Sequence, residues 1–211
     1  MDINHEIIKF LLVTPPFLFA LTFHELAHGW VAWRLGDPTA KDAGRLTMNP
    51  IKHIDPLGAI AFIIMRIGWA KPVPVNPAYF RNPHQGMLQV ALAGPVANLL
   101  LALVSAVLFN PLNTLSHSLS SPLLLALLEP TVAMLGFSVW INIMLAVFNL
   151  LPIPPLDGSK VLMGLLPPDA ARSYAQMEPY GFILLLVLFY MGLINKVILP
   201  VIDFGTSLLL R

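Results

Sequence analysis

Apolar residues in this chain come in long blocks, and polar residues cluster between them. The first block runs from about Ile7 to Trp33 and the second from Val90 to Phe109, with its start near Gln85. The third runs from Thr131 to Leu151 and the fourth from Tyr180 to Ile194. A helix that crosses the hydrocarbon core of a bilayer needs roughly 20 mainly apolar residues, and these blocks approach or reach that length. Val197 to Leu210 is interrupted by Pro200 and Asp203 and is short for a full span. Leu57 to Trp69 is apolar but too short to stand upright across a membrane, and reads as a re-entrant or tilted insertion. The pattern predicts an all-α polytopic membrane protein, a bundle of about four to six transmembrane helices. A small membrane-associated β or re-entrant region is expected between the first two core helices.

Composition sharpens this reading. Of 211 residues, 57% are apolar and only 11% are charged, whereas a soluble domain carries about 25% charged residues. So few charges cannot cover a soluble sphere of this size, and so many apolar groups exclude disorder. The net charge of +1 gives no footing for nucleic acid. There is no Cys, so any metal must be held by His, Asp or Glu. The first block is not a cleaved signal peptide: its start is not basic and its apolar part is too long. No internal repeat and no long linker is visible. Residues 1–211 therefore read as one membrane-embedded domain, with a core at 7–165 and C-terminal helices at 172–211.

Proline and charge give the chain a direction. Pro72, Pro74, Pro77 and Pro83 fall in one stretch and Pro152, Pro154 and Pro155 in another. Such runs favour extended backbone over helix. At membrane depth, non-helical backbone survives only when it is buried in protein or lines a wet cavity. Arg34, Lys41, Arg45, Lys52, Arg66, Lys71 and Arg81 all lie between the first two spans, whereas residues 110–130 carry no Lys or Arg. Basic loops stay on the cytoplasmic side. This places 34–84 inside and the 110–130 loop outside, and brings the chain back to the inner side near Leu151. The same basic residues read as topology determinants, and Trp30, Trp33 and Trp69 as anchors at the membrane interface.

The chemistry is concentrated in His24-Glu25-Leu26-Ala27-His28, inside the first apolar block. Residues four apart share one helix face, so both imidazoles can reach one ion, with Glu25 beside them. This H-E-x-x-H spacing is that of zinc hydrolases, with two His ligands and a Glu base. Ionisable groups within a span cost about 2.5 kcal/mol or more each and mark function. A catalytic zinc site normally has three protein ligands. His5 and His117 fall on the outer side, His53 and His84 in loops, and Glu129, Glu178 and Asp169 beside Pro-rich turns. Asp157 stands out, just beyond the third span in Asn149-Leu-Leu-Pro-Ile-Pro-Pro-Leu-Asp-Gly158. It reads either as the third ligand or as a turn aspartate before Gly. Topology permits ligation: two crossings return Asp157 to the depth of the histidines, provided Leu57–Trp69 does not cross.

With these motifs in place, the sequence resembles the site-2 protease family of intramembrane zinc metalloproteases. His24-Glu25-Leu26-Ala27-His28-Gly29 matches the family's first metal motif, and Leu156-Asp157-Gly158 with its Asn149 and proline lead-in matches the second. Asn49-Pro50 through Leu57-Gly58, Gly68-Trp69 through Val75-Asn76, and Ala93-Gly94-Pro95-Val96-Ala97-Asn98 resemble its signature segments in order. The likeness covers about residues 10 to 165. It implies one Zn2+ on His24, His28 and Asp157, with Glu25 as general base. It implies substrates that are transmembrane proteins or peptides, cut in or near their spans, and strands at 37–82 beside the site. It also implies a prokaryotic inner membrane and an active site near the cytoplasmic side. The chain looks like the compact form, without an inserted PDZ domain or a C-terminal regulatory domain. Asn98 and Asn149 are candidates for binding the substrate backbone or the oxyanion; each also fits a purely structural role. Lys71 to Asn76 is a candidate edge for pairing with an unwound substrate, or else a rigid cap. Two other readings remain: a prenyl-protein type of endopeptidase, with Glu129 or Glu178 as third ligand, and a metal-binding scaffold or transporter without hydrolysis.

Overall fold

A computed structural model describes residues 3–65 and 68–210. Arg66 and Ile67, within the Leu57–Trp69 stretch, lie outside the described residues. The first apolar block becomes one long helix, α1 (Ile3–Arg34), which continues through Pro15 and Pro16. Proline within a helix is tolerated in membranes, where neighbouring helices satisfy the freed carbonyls. Pro16, Ala20, His24, His28 and Ala32 are buried at four-residue intervals, so one face of α1 carries both the packing and the chemistry.

After α1 come two short helices, α2 (Thr39–Asp42) and α3 (Pro56–Met65), and then a proline-rich extended stretch. α4 (Pro83–Ser118) follows. Its start is written locally: Pro83 sits in the first turn and the Asn82 side chain accepts from the Gln85 N–H at 3.2 Å. α5 (Pro122–Asn149) likewise opens on a proline. The expected 110–130 loop is therefore mostly helix, and only residues 119–121 connect α4 to α5. Pro111 and Pro130 lie inside the two helices; the lack of Lys and Arg on which the outer placement rested marks a side of the membrane and not a loop.

The remaining helices are α6 (Asp157–Leu165), α7 (Pro168–Ala175), α8 (Glu178–Tyr190) and α9 (Leu193–Leu209). Among the described residues, α1, α4 and α5 are long and apolar enough to span a bilayer. The expected fourth span is shorter. α8 has 13 residues, about 20 Å at 1.5 Å per residue, and the chain breaks at Gly192, which adopts a left-handed conformation. No strand occurs among the described residues. The expected β region is reduced to one isolated antiparallel bridge between Ile54 and Ala70, because prolines at 72, 74 and 77 remove the donors a ladder needs.

α4 is the central element and packs against α1, α5 and α6. Ala102 and Ala106 of α4 meet Val139 and Ile143 of α5 and Ile198 and Ile202 of α9 in one buried cluster. Lipid gives apolar side chains no drive to associate, so small residues that allow close approach and polar bonds between helices do this work. Ser105 and Ser138, at 2.8 Å, tie α4 to α5. The opposite face of α4, including Leu100, Val104 and Val107, is exposed, as a lipid-facing surface should be.

Candidate metal centre

His24 and His28 lie one turn apart on the buried face of α1, with Nε2 atoms 3.0 Å apart. Asp157, the first residue of α6, brings its Oδ2 to 3.1 Å from His24 Nε2 and 3.2 Å from His28 Nε2. The turn after α5 makes this possible. α6 begins hard against the end of α5, and a Cβ on Gly158 would lie 2.2 Å from the Leu150 carbonyl oxygen. Only glycine fits there, so the Asp-Gly pair serves a close backbone approach.

The outer nitrogens of the two imidazoles fix their inner ones. His28 Nδ1 lies 2.7 Å from the Val90 carbonyl oxygen. A carbonyl only accepts, so Nδ1 carries the proton and Nε2 presents a lone pair. His24 Nδ1 lies 2.6 Å from Asn98 Oδ1, while Asn98 Nδ2 donates to the Ala20 carbonyl at 3.2 Å. That orientation makes Asn98 Oδ1 an acceptor and gives His24 the same tautomer. With both rings neutral, three acceptor atoms face one another, and Asp157 Oδ2 is buried without a hydrogen-bond partner. Such an arrangement calls for a cation. Among the described residues, His24, His28 and Asp157 form a group whose ligand atoms all lie within 4.8 Å of one another. Room for an ion is kept by Gly94 of α4: a Cβ there would lie 2.5 Å from His28 Nε2 and 2.6 Å from His24 Nε2. The donor set, two neutral imidazoles and a carboxylate, suits zinc.

Glu25 is held from the other side. Its Oε2 accepts from the Val73 N–H at 2.9 Å, and Oε1 has no protein partner among the described residues. The segment carrying Val73 is itself fastened along its length. Arg45, buried rather than solvated, donates to the carbonyls of Lys71 at 2.6 Å and Pro72 at 3.1 Å. The Lys71 N–H reaches the His53 carbonyl at 2.9 Å. The Asn76 N–H donates to Asp37 Oδ2 at 2.7 Å, and Asp37 Oδ1 accepts from the Thr39 main chain at 2.9 Å. Burial pushes the Asp37 carboxyl up, but the hydrogen bonds from Thr39 and Asn76 outweigh it and hold the group below the ordinary carboxylate range. The sequence assigns Arg45 a topology role; its guanidinium also braces the Lys71 and Pro72 carbonyls.

The two asparagines part company. Asn98 is fully buried, and its amide is committed to His24, Ala20 and Asn142. Asn149 is the last residue of α5 and donates to the Leu145 carbonyl of its own helix at 2.9 Å. The positively charged interface residues are paired with rings: Arg34 lies over Trp30 and Lys41 over Trp33. Trp69 packs edge-on against Phe182 of α8. Residues the motif reading missed are Asn142, Asp37 and Arg45. Asn142 left a signal, as an amide inside an apolar span, where polar groups are expensive.

Spanning helices that enclose a His-Glu-x-x-His turn and a distant Asp define the class of membrane-embedded metallopeptidases. Peptidase family M50 matches residues 13–192, and the chain belongs to that family. It is 42% identical over 208 residues to a Bacillus subtilis protein named "Putative zinc metalloprotease YwhC", covering 98% of this chain and 91% of that one. It is 32% identical over 191 residues to the Rip2 protein of Mycolicibacterium smegmatis, covering 89% and 70%. MJ0611 of Methanocaldococcus jannaschii is 31% identical over 164 residues, covering 75% and 73%. Both carry the same zinc metalloprotease description. No solved structure matches the chain.

Proposed function

We propose that this chain is an intramembrane zinc metalloendopeptidase that hydrolyses peptide bonds in or near the transmembrane segments of other membrane proteins. The observation that carries the reading is the buried cluster of His24 Nε2, His28 Nε2 and Asp157 Oδ2, acceptors left facing one another by the tautomers of the two histidines. Family membership and the names of the relatives support it. Zinc held by these residues supplies Lewis acidity, acidifying water to a pKa near 7 and stabilising negative charge on a carbonyl oxygen. Glu25 takes the proton of the attacking water on its open oxygen and passes it to the leaving amine. The Val73 N–H holds the other oxygen and keeps the carboxylate aimed. Asn98 serves His24 rather than the substrate, since its donors are already spent. The end of the bundle that holds the site also holds Arg34, Lys41, Arg45 and Lys71, which favours a cytoplasmic-side site in a prokaryotic cell membrane.

The purified protein should cleave a transmembrane substrate, lose that activity to a chelator and regain it with zinc. Cleavage that survives complete removal of metal would sink the reading.

A substrate helix must unwind before it can be cut, and the 71–76 segment offers it replacement hydrogen bonds. Pro72 and Pro74 have no N–H, and the amides of Lys71, Val73 and Asn76 are taken. Val75 is the one open donor of the segment among the described residues, with the carbonyls around it. Val75→Pro removes that donor and keeps the backbone extended. Cleavage of a helical substrate should fall by about 2- to 10-fold, the worth of one net hydrogen bond, with a smaller loss on a substrate already unfolded. Equal losses on the two would remove the pairing role.

A further inference from the structure

Asn142 lies in α5, fully buried. It touches none of the three metal-facing acceptors and has no part in the proposed reaction. An amide placed in a span is costly unless its partners are arranged, and those of Asn142 impose a direction. Its Nδ2 donates to the Ser138 carbonyl of its own helix at 2.9 Å and lies 3.2 Å from Ser138 Oγ. Its Oδ1 accepts from Asn98 Nδ2 at 2.8 Å. The Ser138 carbonyl can only accept. If the Asn142 amide turned over, two oxygens would face each other at Ser138 and two NH2 groups would face each other at Asn98. Asn98 is held in the same sense by the Ala20 carbonyl at 3.2 Å. Two backbone carbonyls, one on α5 and one on α1, thus orient a chain of amides that ends at His24 Nδ1, 2.6 Å from Asn98 Oδ1.

We propose that Asn142 is a positioning residue of the metal centre: by locking the Asn98 amide in one orientation, it keeps the His24 proton on Nδ1 and the Nε2 lone pair turned towards Asp157. The inference rests on the zinc reading above and deepens it. Groups that fix the tautomer of a ligating histidine typically change metal affinity by 10- to 100-fold when removed. The Ala20 carbonyl still favours the correct turn of Asn98 when Asn142 is gone, so the lower end of that range applies. The same network ties α5, which leads into the Asp157 turn, to α4 and α1, which carry the other side of the site.

Zinc affinity of the purified full chain, measured by competition with a chromophoric chelator, tests this without reference to activity. Asn142→Leu should bind zinc about tenfold more weakly. Asn142→Asp should stay close to wild type, because an uncharged carboxyl within the span donates to Ser138 and accepts from Asn98. Ser105→Ala breaks the Ser105–Ser138 tie between helices but leaves both Ser138 contacts of Asn142 in place, and should bind zinc as wild type does. The proposal is overturned if Asn142→Leu keeps wild-type affinity, if Asn142→Asp is as weak as Asn142→Leu, or if Ser105→Ala weakens binding as much. The last result would mark Asn142 as helix–helix glue alone. Should Asn142→Leu not fold, Asn142→Gln serves in its place: it remains polar but carries its oxygen one methylene away from Asn98. Weakened zinc supports the lock, and unchanged zinc overturns it. A wild-type chain with no more zinc than His24→Ala overturns the zinc reading itself, a result distinct from any difference among the Asn142 variants.

Discussion

Glu25→Gln should retain zinc and lose proteolysis. Glutamine is nearly the same size as glutamate, and its amide oxygen can still accept the Val73 N–H that Oε2 accepts at 2.9 Å. The 71–76 segment therefore keeps its place, and His24, His28 and Asp157 are untouched. What disappears is a group able to take a proton from water at neutral pH. Positioned general bases contribute about 10²- to 10⁴-fold, so kcat should fall by that amount with bound metal unchanged. Parallel measurement of cleavage and of zinc per chain separates this from a folding defect. Normal cleavage by Glu25→Gln would remove the assigned base and, with it, the hydrolase mechanism.

Asp157→Ala should fail in the opposite way, through loss of the metal. The carboxylate oxygen lies within 3.1 to 3.2 Å of both imidazole Nε2 atoms, and a catalytic zinc site rests on three protein ligands. Two histidines alone leave a weak site, so the purified variant should hold much less zinc than wild type and cleave at background. The same experiment discriminates the rival peptidase reading, in which Glu129 or Glu178 completes the site. The group of acceptors within reach of one another, among the described residues, contains Asp157 and neither glutamate. Full zinc retention by Asp157→Ala, with loss on Glu129→Ala or Glu178→Ala, would reverse the assignment. A transporter reading draws no support from His24, Glu25, His28 and Asp157, which come from one turn of α1 and the first residue of α6 rather than from several spans.

Sequence reading and structure agree best where the physics is local. The i, i+4 spacing of His24 and His28 places both on one face of any helix, whatever that helix packs against. Apolar blocks of span length become α1, α4 and α5 because a bilayer leaves the backbone no other way to satisfy its hydrogen bonds. Asp157 stayed open between third ligand and turn aspartate on its spacing; the crossing count permitted ligation, and the family resemblance implied it. The 110–130 stretch, expected as a loop between apolar blocks, is mostly helix, with Pro111 and Pro130 inside α4 and α5. The strand region was overestimated because the 71–76 backbone is held by side chains of Arg45, Asp37 and Glu25 rather than by a ladder.

Asn98 shows the remaining boundary most plainly. Its presence in an apolar helix marked it as important, but an amide can serve a substrate, a neighbouring helix or a ligand, and the sequence does not choose among these. The fold chooses, by placing the Ala20 carbonyl, Asn142 and the His24 ring around it. Hydrophobic block length, charge distribution and one helical repeat by themselves determined the membrane setting, the topology expected and two of the three residues of the candidate metal cluster. Only the tertiary structure decided how near Asp157 comes, which imidazole nitrogens carry protons and what braces Glu25. Those are distances and directions between groups far apart in the chain, set by glycines that let backbones touch and by carbonyls that can only accept.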